Sequence, residues 1–136
     1  MGVTATPLIM AWQGYSGLPE RREVTDEAEA EAVLDYLDGG HHGPVLVEVF
    51  DTSGHGPLLT VAAGGQRSAA AYQETLDPPY YISAGGGAPA GESFSYGGQE
   101  SEFPPDSLID KRVVRTILRE FMATRTRPTA VTWQET

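Results

Sequence analysis

The stretch from Val45 to Ala63 constrains this chain more than any other part of it. Val45-Leu46-Val47-Glu48-Val49-Phe50 is apolar and rich in β-branched residues, and Leu58-Leu59-Thr60-Val61-Ala62-Ala63 answers it. Between them, Asp51-Thr52-Ser53-Gly54-His55-Gly56-Pro57 is made of turn formers. Two such runs around a Gly/Pro turn predict an antiparallel hairpin, with a loop longer than the tightest two-residue type.

The flanking segments add further strands and two helices. Pro7-Leu8-Ile9-Met10-Ala11-Trp12 reads as a first strand, ended by Gly14 and Gly17. Thr25 is expected to cap a helix starting at Asp26. Ala30, Val33, Leu34 and Leu37 form its apolar stripe, and Glu27, Glu31, Asp35 and Asp38 occupy the other side. Gly39-Gly40 stops it. Beyond the hairpin, Ser68 to Glu74 and Tyr80 to Ser83 read as short strands separated by Asp77-Pro78-Pro79. Residues 85–91 read as a flexible glycine-rich loop, and Ser93 to Tyr96 as another strand. Pro104-Pro105 breaks the chain. A second helix is expected from Ser107 or Lys111 to Ala123. Val113, Val114, Ile117, Leu118 and Phe121 share one face, with Lys111, Arg112, Arg115 and Arg119 opposite. Thr129 to Trp133 reads as the last strand. The order predicts an α+β fold: a largely antiparallel sheet of about six or seven strands with two helices packed on one face. One domain is expected over residues 1–136, a usual domain size.

Charge limits the function classes. Nineteen acids face nine bases, a net charge of −10. Residues 1–106 hold sixteen acids and three bases (−13), and residues 107–136 hold six bases and three acids (+3). Nucleic acid repels such a surface, whereas a basic protein is attracted and steered to it. No apolar run approaches the roughly 20 residues of a membrane-spanning helix. Met1 to Ala5 shows no basic segment followed by an apolar one, so no secretory leader is expected. The chain lacks cysteine, which suits a reducing cytoplasm.

The residues that could carry chemistry are sparse. His41, His42 and His55 are the only histidines, and metal centres need three or four converging ligands. His41-His42 follows a helix C-terminus and reads as structural. Ser53 near His55 sits in a hairpin turn, not on the strand-to-helix elbow a hydrolase nucleophile uses. The glycine loop lacks the Lys-Ser or Lys-Thr of a phosphate cradle. No metal, cofactor or catalytic residue is expected. Phe50, Phe121, Trp12 and Trp133 are core candidates. Tyr80 and Tyr81 cannot both face inward on a strand, so one of them is expected to be exposed.

The C-terminal third carries a resemblance. A helix ending Glu120-Phe121-Met122-Ala123-Thr124 is followed by Arg127-Pro128-Thr129-Ala130-Val131-Thr132-Trp133. This resembles the deaminase-type immunity family of bacterial polymorphic toxin systems (the Imm-one type). Members pair an E-F-x-x-T helix end with an R-P-x-x-V-x-W strand. The chain departs from the pattern at Arg125, where the family usually has glycine, so a different helix end is expected. Phe121 and Trp133 are expected to pack together, with Pro128 enforcing the turn. The resemblance implies a cytoplasmic antidote that binds a cognate toxin, a basic deaminase or nuclease domain acting on nucleic acid, and blocks its active site.

A contact surface for such a partner is expected on residues 80–102. Tyr80, Tyr81 and Tyr96 are anchor candidates there, with Glu92, Ser93, Glu100 and Glu102, and no Lys or Arg stands between Arg67 and Lys111. The rival surface is the acidic side of the first helix. The alternative functions are a small hydrolase using His55 or His42, and an acidic adaptor.

Overall fold

The computed structural model describes residues 6–136. Met1 to Ala5, on which the expected lack of a leader rests, lie outside the described residues. In chain order the elements are β1 (Leu8–Trp12), β2 (Glu20–Val24), α1 (Glu27–Asp38), β3 (Val45–Asp51), β4 (Leu58–Ala63), β5 (Ala70–Gln73), β6 (Tyr80–Ala84), β7 (Glu92–Tyr96), β8 (Gln99–Phe103), a 3-10 turn (Pro105–Ser107), α2 (Lys111–Thr124) and β9 (Thr132–Glu135). The strands join in the order β2-β1-β3-β4-β5-β6-β9. β7 branches from β3 through one parallel pair, Val45 with Ser95, and β8 pairs with β7. Every other pairing is antiparallel.

The α+β class and the largely antiparallel sheet are as expected, but the sheet has nine strands, not six or seven. The two strands absent from the sequence reading are Glu20-Arg21-Arg22-Glu23-Val24 and Gln99-Glu100-Ser101-Glu102-Phe103. Each buries only its last residue, Val24 or Phe103. β2 is an edge strand held by the backbone of β1, and charge on such a strand discourages further pairing. Neither carries the apolar alternation that marks a strand in sequence.

Helix α1 starts one residue later than expected. Asp26 is the cap: its carboxylate accepts from the Glu29 N–H at 2.8 Å. Glu29 reaches back to accept from the Thr25 N–H at 3.0 Å and from the Thr25 hydroxyl. This reciprocal arrangement satisfies donors that the first turn leaves open. Asp110 caps α2 without such a reciprocal bond, its carboxylate accepting from the Arg112 N–H at 2.7 Å.

The larger core cluster joins Ala30, Val33, Leu34 and Leu37 of α1 with Val114, Ile117, Leu118 and Phe121 of α2. Alternate strand positions complete it, among them Leu8, Met10, Val47, Val49, Leu59, Val61 and Tyr72. Val113, expected on the apolar side of α2, is only partly buried. A second cluster uses the intervening positions Leu46 and Ala62, packed with Phe94 of β7, Phe103 of β8 and Leu108. The β7–β8 hairpin therefore covers part of the sheet that the first cluster leaves open. Each large apolar side chain fully buried this way contributes about 1.5–3 kcal/mol.

The two helices are also joined by charge. Arg115 of α2 meets Asp35 at 2.8 Å and Asp38 at 3.1 Å, and Lys111 meets Asp38 at 3.4 Å. Part of the basic C-terminal third is thus turned onto the acidic first helix. Arg125 ends α2 in the left-handed region at φ 54°, with its N–H donating to the Phe121 carbonyl. The expectation of a different helix end is corrected here, because arginine adopts the cap conformation that glycine would take more cheaply.

Candidate functional site

The residues expected to form a surface fall into three places. The register places Ile9, Phe50, Leu58, Gln73 and Tyr80 in one row, and Met10, Val49, Leu59, Tyr72 and Tyr81 in the next. Successive side chains on a strand alternate faces, so Tyr80 and Tyr81 point oppositely. Tyr80 is the exposed one, with its hydroxyl donating to the Leu76 carbonyl. Tyr81 packs against the larger core cluster under the Arg127 guanidinium, 4.4 Å from the ring centroid.

On the β7–β8 hairpin, Phe94 and Phe103 point into the second cluster, 5.9 Å apart and edge to face. The alternate positions, Ser93 on β7 with Glu100 and Glu102 on β8, therefore lie on the hairpin's other side, and both glutamates are exposed. Glu92 is engaged internally: its carboxylate accepts from the backbone N–H of Gln66 at 3.1 Å and of Arg67 at 2.8 Å. Tyr96 ends β7 exposed, with its hydroxyl 3.1 Å from Glu48 of β3. Burial and the adjacent Glu48 carboxylate push the Tyr96 phenol above its ordinary pKa. Residues 80–102 thus divide between β6 and the β7–β8 hairpin, with Ile82 of β6 packed against the cluster that holds Phe94 and Phe103. β6 stands three strands from β3, roughly 14 Å away at normal strand spacing.

The glycine loop approaches neighbouring backbone closely at its two ends, Gly85 and Gly91, while Gly86 and Gly87 between them stand in open space. A Cβ on Gly85 would overlap the Leu108 carbonyl, and one on Gly91 would press on the Phe103 carbonyl. The Gly85 N–H donates to the Asp106 carbonyl at 2.7 Å. Glycine serves here for close backbone approach.

The histidines have structural neighbours. His41 stacks on Tyr36 with ring centroids 4.6 Å apart. His42 places Nε2 3.2 Å from the Tyr36 hydroxyl and 3.1 Å from Glu20. In the β3–β4 turn, Ser53 Oγ bonds the backbone N–H and carbonyl of His55 rather than its ring. That geometry makes a turn, not a nucleophile–base pair. Among the described residues, no group of three or more His, Asp or Glu converges as metal ligands, and no helix is long and apolar enough to cross a membrane.

The C-terminal motif forms one local device. Glu120 holds the N–H groups of Thr129 and Ala130 and the Thr129 hydroxyl. Trp133 Nε1 donates to the Pro128 carbonyl at 2.7 Å. Tyr72 lies between Phe121 and Trp133, 6.3 Å and 6.1 Å from them, so the two motif aromatics pack through a third ring rather than directly. The family model described as Immunity protein Imm1 matches residues 19–135. The chain belongs to the Imm1 immunity protein family. No curated protein matches the chain.

Within this Imm1 chain, the motif residues are scaffold: they fold the end of α2 back onto β9 and seal the sheet beside Tyr72. Other residues escaped the sequence reading. Tyr15 and Leu18, in the turn between β1 and β2, are exposed, and burial together with the Glu100 carboxylate raises the Tyr15 phenol. Glu48 lies beside Tyr96 although 48 residues separate them. Only the exposed tyrosine and leucine in a glycine-bounded turn were visible as a sequence signal.

Proposed function

We propose that this chain is a cytoplasmic antidote of a bacterial polymorphic toxin system. It binds a basic toxin domain that acts on nucleic acid, a deaminase or a nuclease, and blocks its active site without catalysing a reaction. Membership of the Imm1 family supports the immunity role. The observation that carries the rest is the layout of charge. The bases Arg115 and Lys111 are paired with α1 carboxylates, while Glu100 and Glu102 project from the β7–β8 hairpin without an ion pair among the described residues. A toxin that grips phosphates presents cations where it does so, and an outward row of carboxylates meets them as the nucleic acid backbone does.

The contact surface proposed is the β7–β8 hairpin, with Tyr96, Ser93, Glu100 and Glu102 in direct contact and Tyr80 at its margin. Glu92 and Tyr81 support this surface through their internal contacts. The rival face on α1 is weakened because Asp35 and Asp38 already have basic partners, which leaves Glu27 and Glu31.

The test is co-purification with the product of the toxin gene expected directly upstream, followed by affinity measurements on charge reversals. Reversal of Glu100 and Glu102 is expected to weaken binding on the order of tenfold or more, and reversal of Glu27 and Glu31 far less. The association rate is expected to fall steeply from low to physiological salt. The opposite ranking would move the interface to α1, and a toxin that does not bind at all would remove the immunity reading.

A further inference from the structure

The sheet face turned away from the helices is only partly covered. Met10, Val49, Leu59, Tyr72 and Tyr81 belong to the larger core cluster, so their neighbours along each strand point the other way. The register aligns those neighbours in two rows across β1, β3, β4, β5 and β6. One row is Ile9-Phe50-Leu58-Gln73-Tyr80, and the other is Ala11-Glu48-Thr60-Ala71-Ile82. A third row, Leu46 with Ala62, is roofed by Phe94 and Phe103 of the β7–β8 hairpin. The hairpin meets the second row at Glu48, through the Tyr96 hydroxyl, and Ile82 borders the roofed cluster. Phe50, expected in the core, and Leu58 are only partly buried, and among the described residues they belong to neither cluster. Four strand spacings make this open floor roughly 19 Å wide.

A groove of about 480 Å³ opens at the end of the first row, between the β3–β4 and β5–β6 turns. Phe50, Pro57, Leu58 and Leu76 wall it, with Gln73 and Glu74 beside them. Leu76 is 87% exposed, yet its turn is held. Gln73 Nε2 donates to the Thr75 carbonyl at 3.1 Å, the Asp77 N–H to Thr75 Oγ1 at 3.1 Å, and the Tyr80 hydroxyl to the Leu76 carbonyl. A large apolar side chain fixed in water beside an apolar groove is preorganised for a partner.

Charge selects that partner. Glu48 lies partly buried on the floor, Glu23 of β2 stands opposite Ile9, and Glu74 is exposed at the groove. None of the three forms an ion pair among the described residues, and Arg21 is the one strand base that the register places on this face. A second copy of this chain, itself carrying −10, would set these carboxylates against like charge.

We propose that this open face docks an amphipathic segment of the toxin. Apolar side chains of that segment enter the groove between Phe50, Leu58 and Leu76, and its Lys or Arg residues meet Glu48 and Glu74. The proposal rests on the immunity reading and extends its contact from the hairpin onto the sheet. Tyr80 and Tyr96 then border one surface from two sides as aromatic anchors.

The experiment compares affinity for the co-purified toxin across variants whose fold is checked by melting. Leu76→Arg changes an exposed side chain, and Thr60→Arg raises a long cation from the middle of the floor. Each is expected to weaken binding on the order of tenfold or more. Thr116→Arg adds the same charge on the exposed side of α2 and is expected to leave binding unchanged. A footprint reads the contact without altering charge. The chain has no cysteine, so Leu76→Cys carries a single thiol. Its maleimide labelling is expected to slow on the order of tenfold or more in the complex, while Thr116→Cys is labelled as fast as in the free chain. A toxin that binds the wild-type chain yet ignores Leu76→Arg and Thr60→Arg, or leaves the Leu76→Cys thiol open, overturns this face and leaves the immunity reading intact. Self-association of the free chain that Leu76→Arg abolishes also overturns it, by giving the face to a second copy. Failure of the wild-type chain to bind the toxin overturns the immunity reading and this contact with it.

Discussion

The guanidinium of Arg125 meets the carboxylate of Asp51 at 2.7 Å, tying the end of α2 to the end of β3 across 74 residues of sequence. The same guanidinium donates to the Thr6 carbonyl at 2.6 Å. Asp51 also accepts from the Ser53 N–H at 2.8 Å. These bonds explain why an arginine can occupy a left-handed cap. Its backbone strain of about 1–2 kcal/mol is offset by charge-assisted bonds worth about 1.5–3 kcal/mol each when well shielded. Arg125→Gly removes strain and bonds together and is expected to shift stability by less than about 1 kcal/mol. Arg125→Ala keeps the strain without the bonds, and is expected to destabilise by about 1–3 kcal/mol in urea unfolding.

The Asp51 contacts also set a pH dependence. The Ser53 N–H first, and the Arg125 charge in addition, hold the Asp51 carboxyl below its ordinary pKa of 3.8. Because the folded value is the depressed one, this stabilisation is fully present above the unfolded pKa and is lost as pH falls through the folded one. Asp51→Asn is therefore expected to lower stability at pH 7 and to flatten its acid dependence below about pH 4. Unfolding curves from pH 7 to pH 2 on both proteins check this.

Phe121 is fully buried against Tyr72, whereas Trp133 is only partly buried on the far side of the same ring. Phe121→Ala is expected to cost about 3–5 kcal/mol and Trp133→Ala less. Both are expected to lower the melting temperature, with toxin binding retained wherever the chain remains folded. A normal melting curve with lost binding would place either residue in the interface.

Glu120 gives two backbone donors their partner. Glu120→Ala leaves the Thr129 and Ala130 N–H groups to water, at an expected cost of about 1–2 kcal/mol because the loop is exposed. Glu120→Gln keeps one acceptor oxygen and is expected to recover part of that loss. Amide hydrogen exchange at Thr129 and Ala130 reads the difference directly.

His41→Ala, His42→Ala and His55→Ala are each expected to leave toxin neutralisation intact. The His41 and His42 variants should soften packing around Tyr36 and cost less than about 1 kcal/mol. Loss of neutralisation in a folded His55 variant would revive the hydrolase alternative.

Much of the fold was legible because apolar periodicity records burial. The stripes Ala30-Val33-Leu34-Leu37 and Val114-Ile117-Leu118-Phe121 located both helices, and β-branched runs located β3 and β4. Net acidity and the two C-terminal motifs pointed to the family. β2 and β8 were not legible, because an edge strand is held by main-chain hydrogen bonds that leave no mark on side-chain hydrophobicity. Glu92 looked like a surface acid in sequence, and only folding delivered it to the Gln66 and Arg67 N–H groups. Tyr15 came within reach of the Glu100 charge only through the fold, in which β7 pairs with β3 and Ser95 bonds the Gln13 carbonyl. Local sequence determines which residues seek burial. Which distant polar groups share a surface is decided by strand order, because charge and hydrogen bonding act through space rather than along the chain.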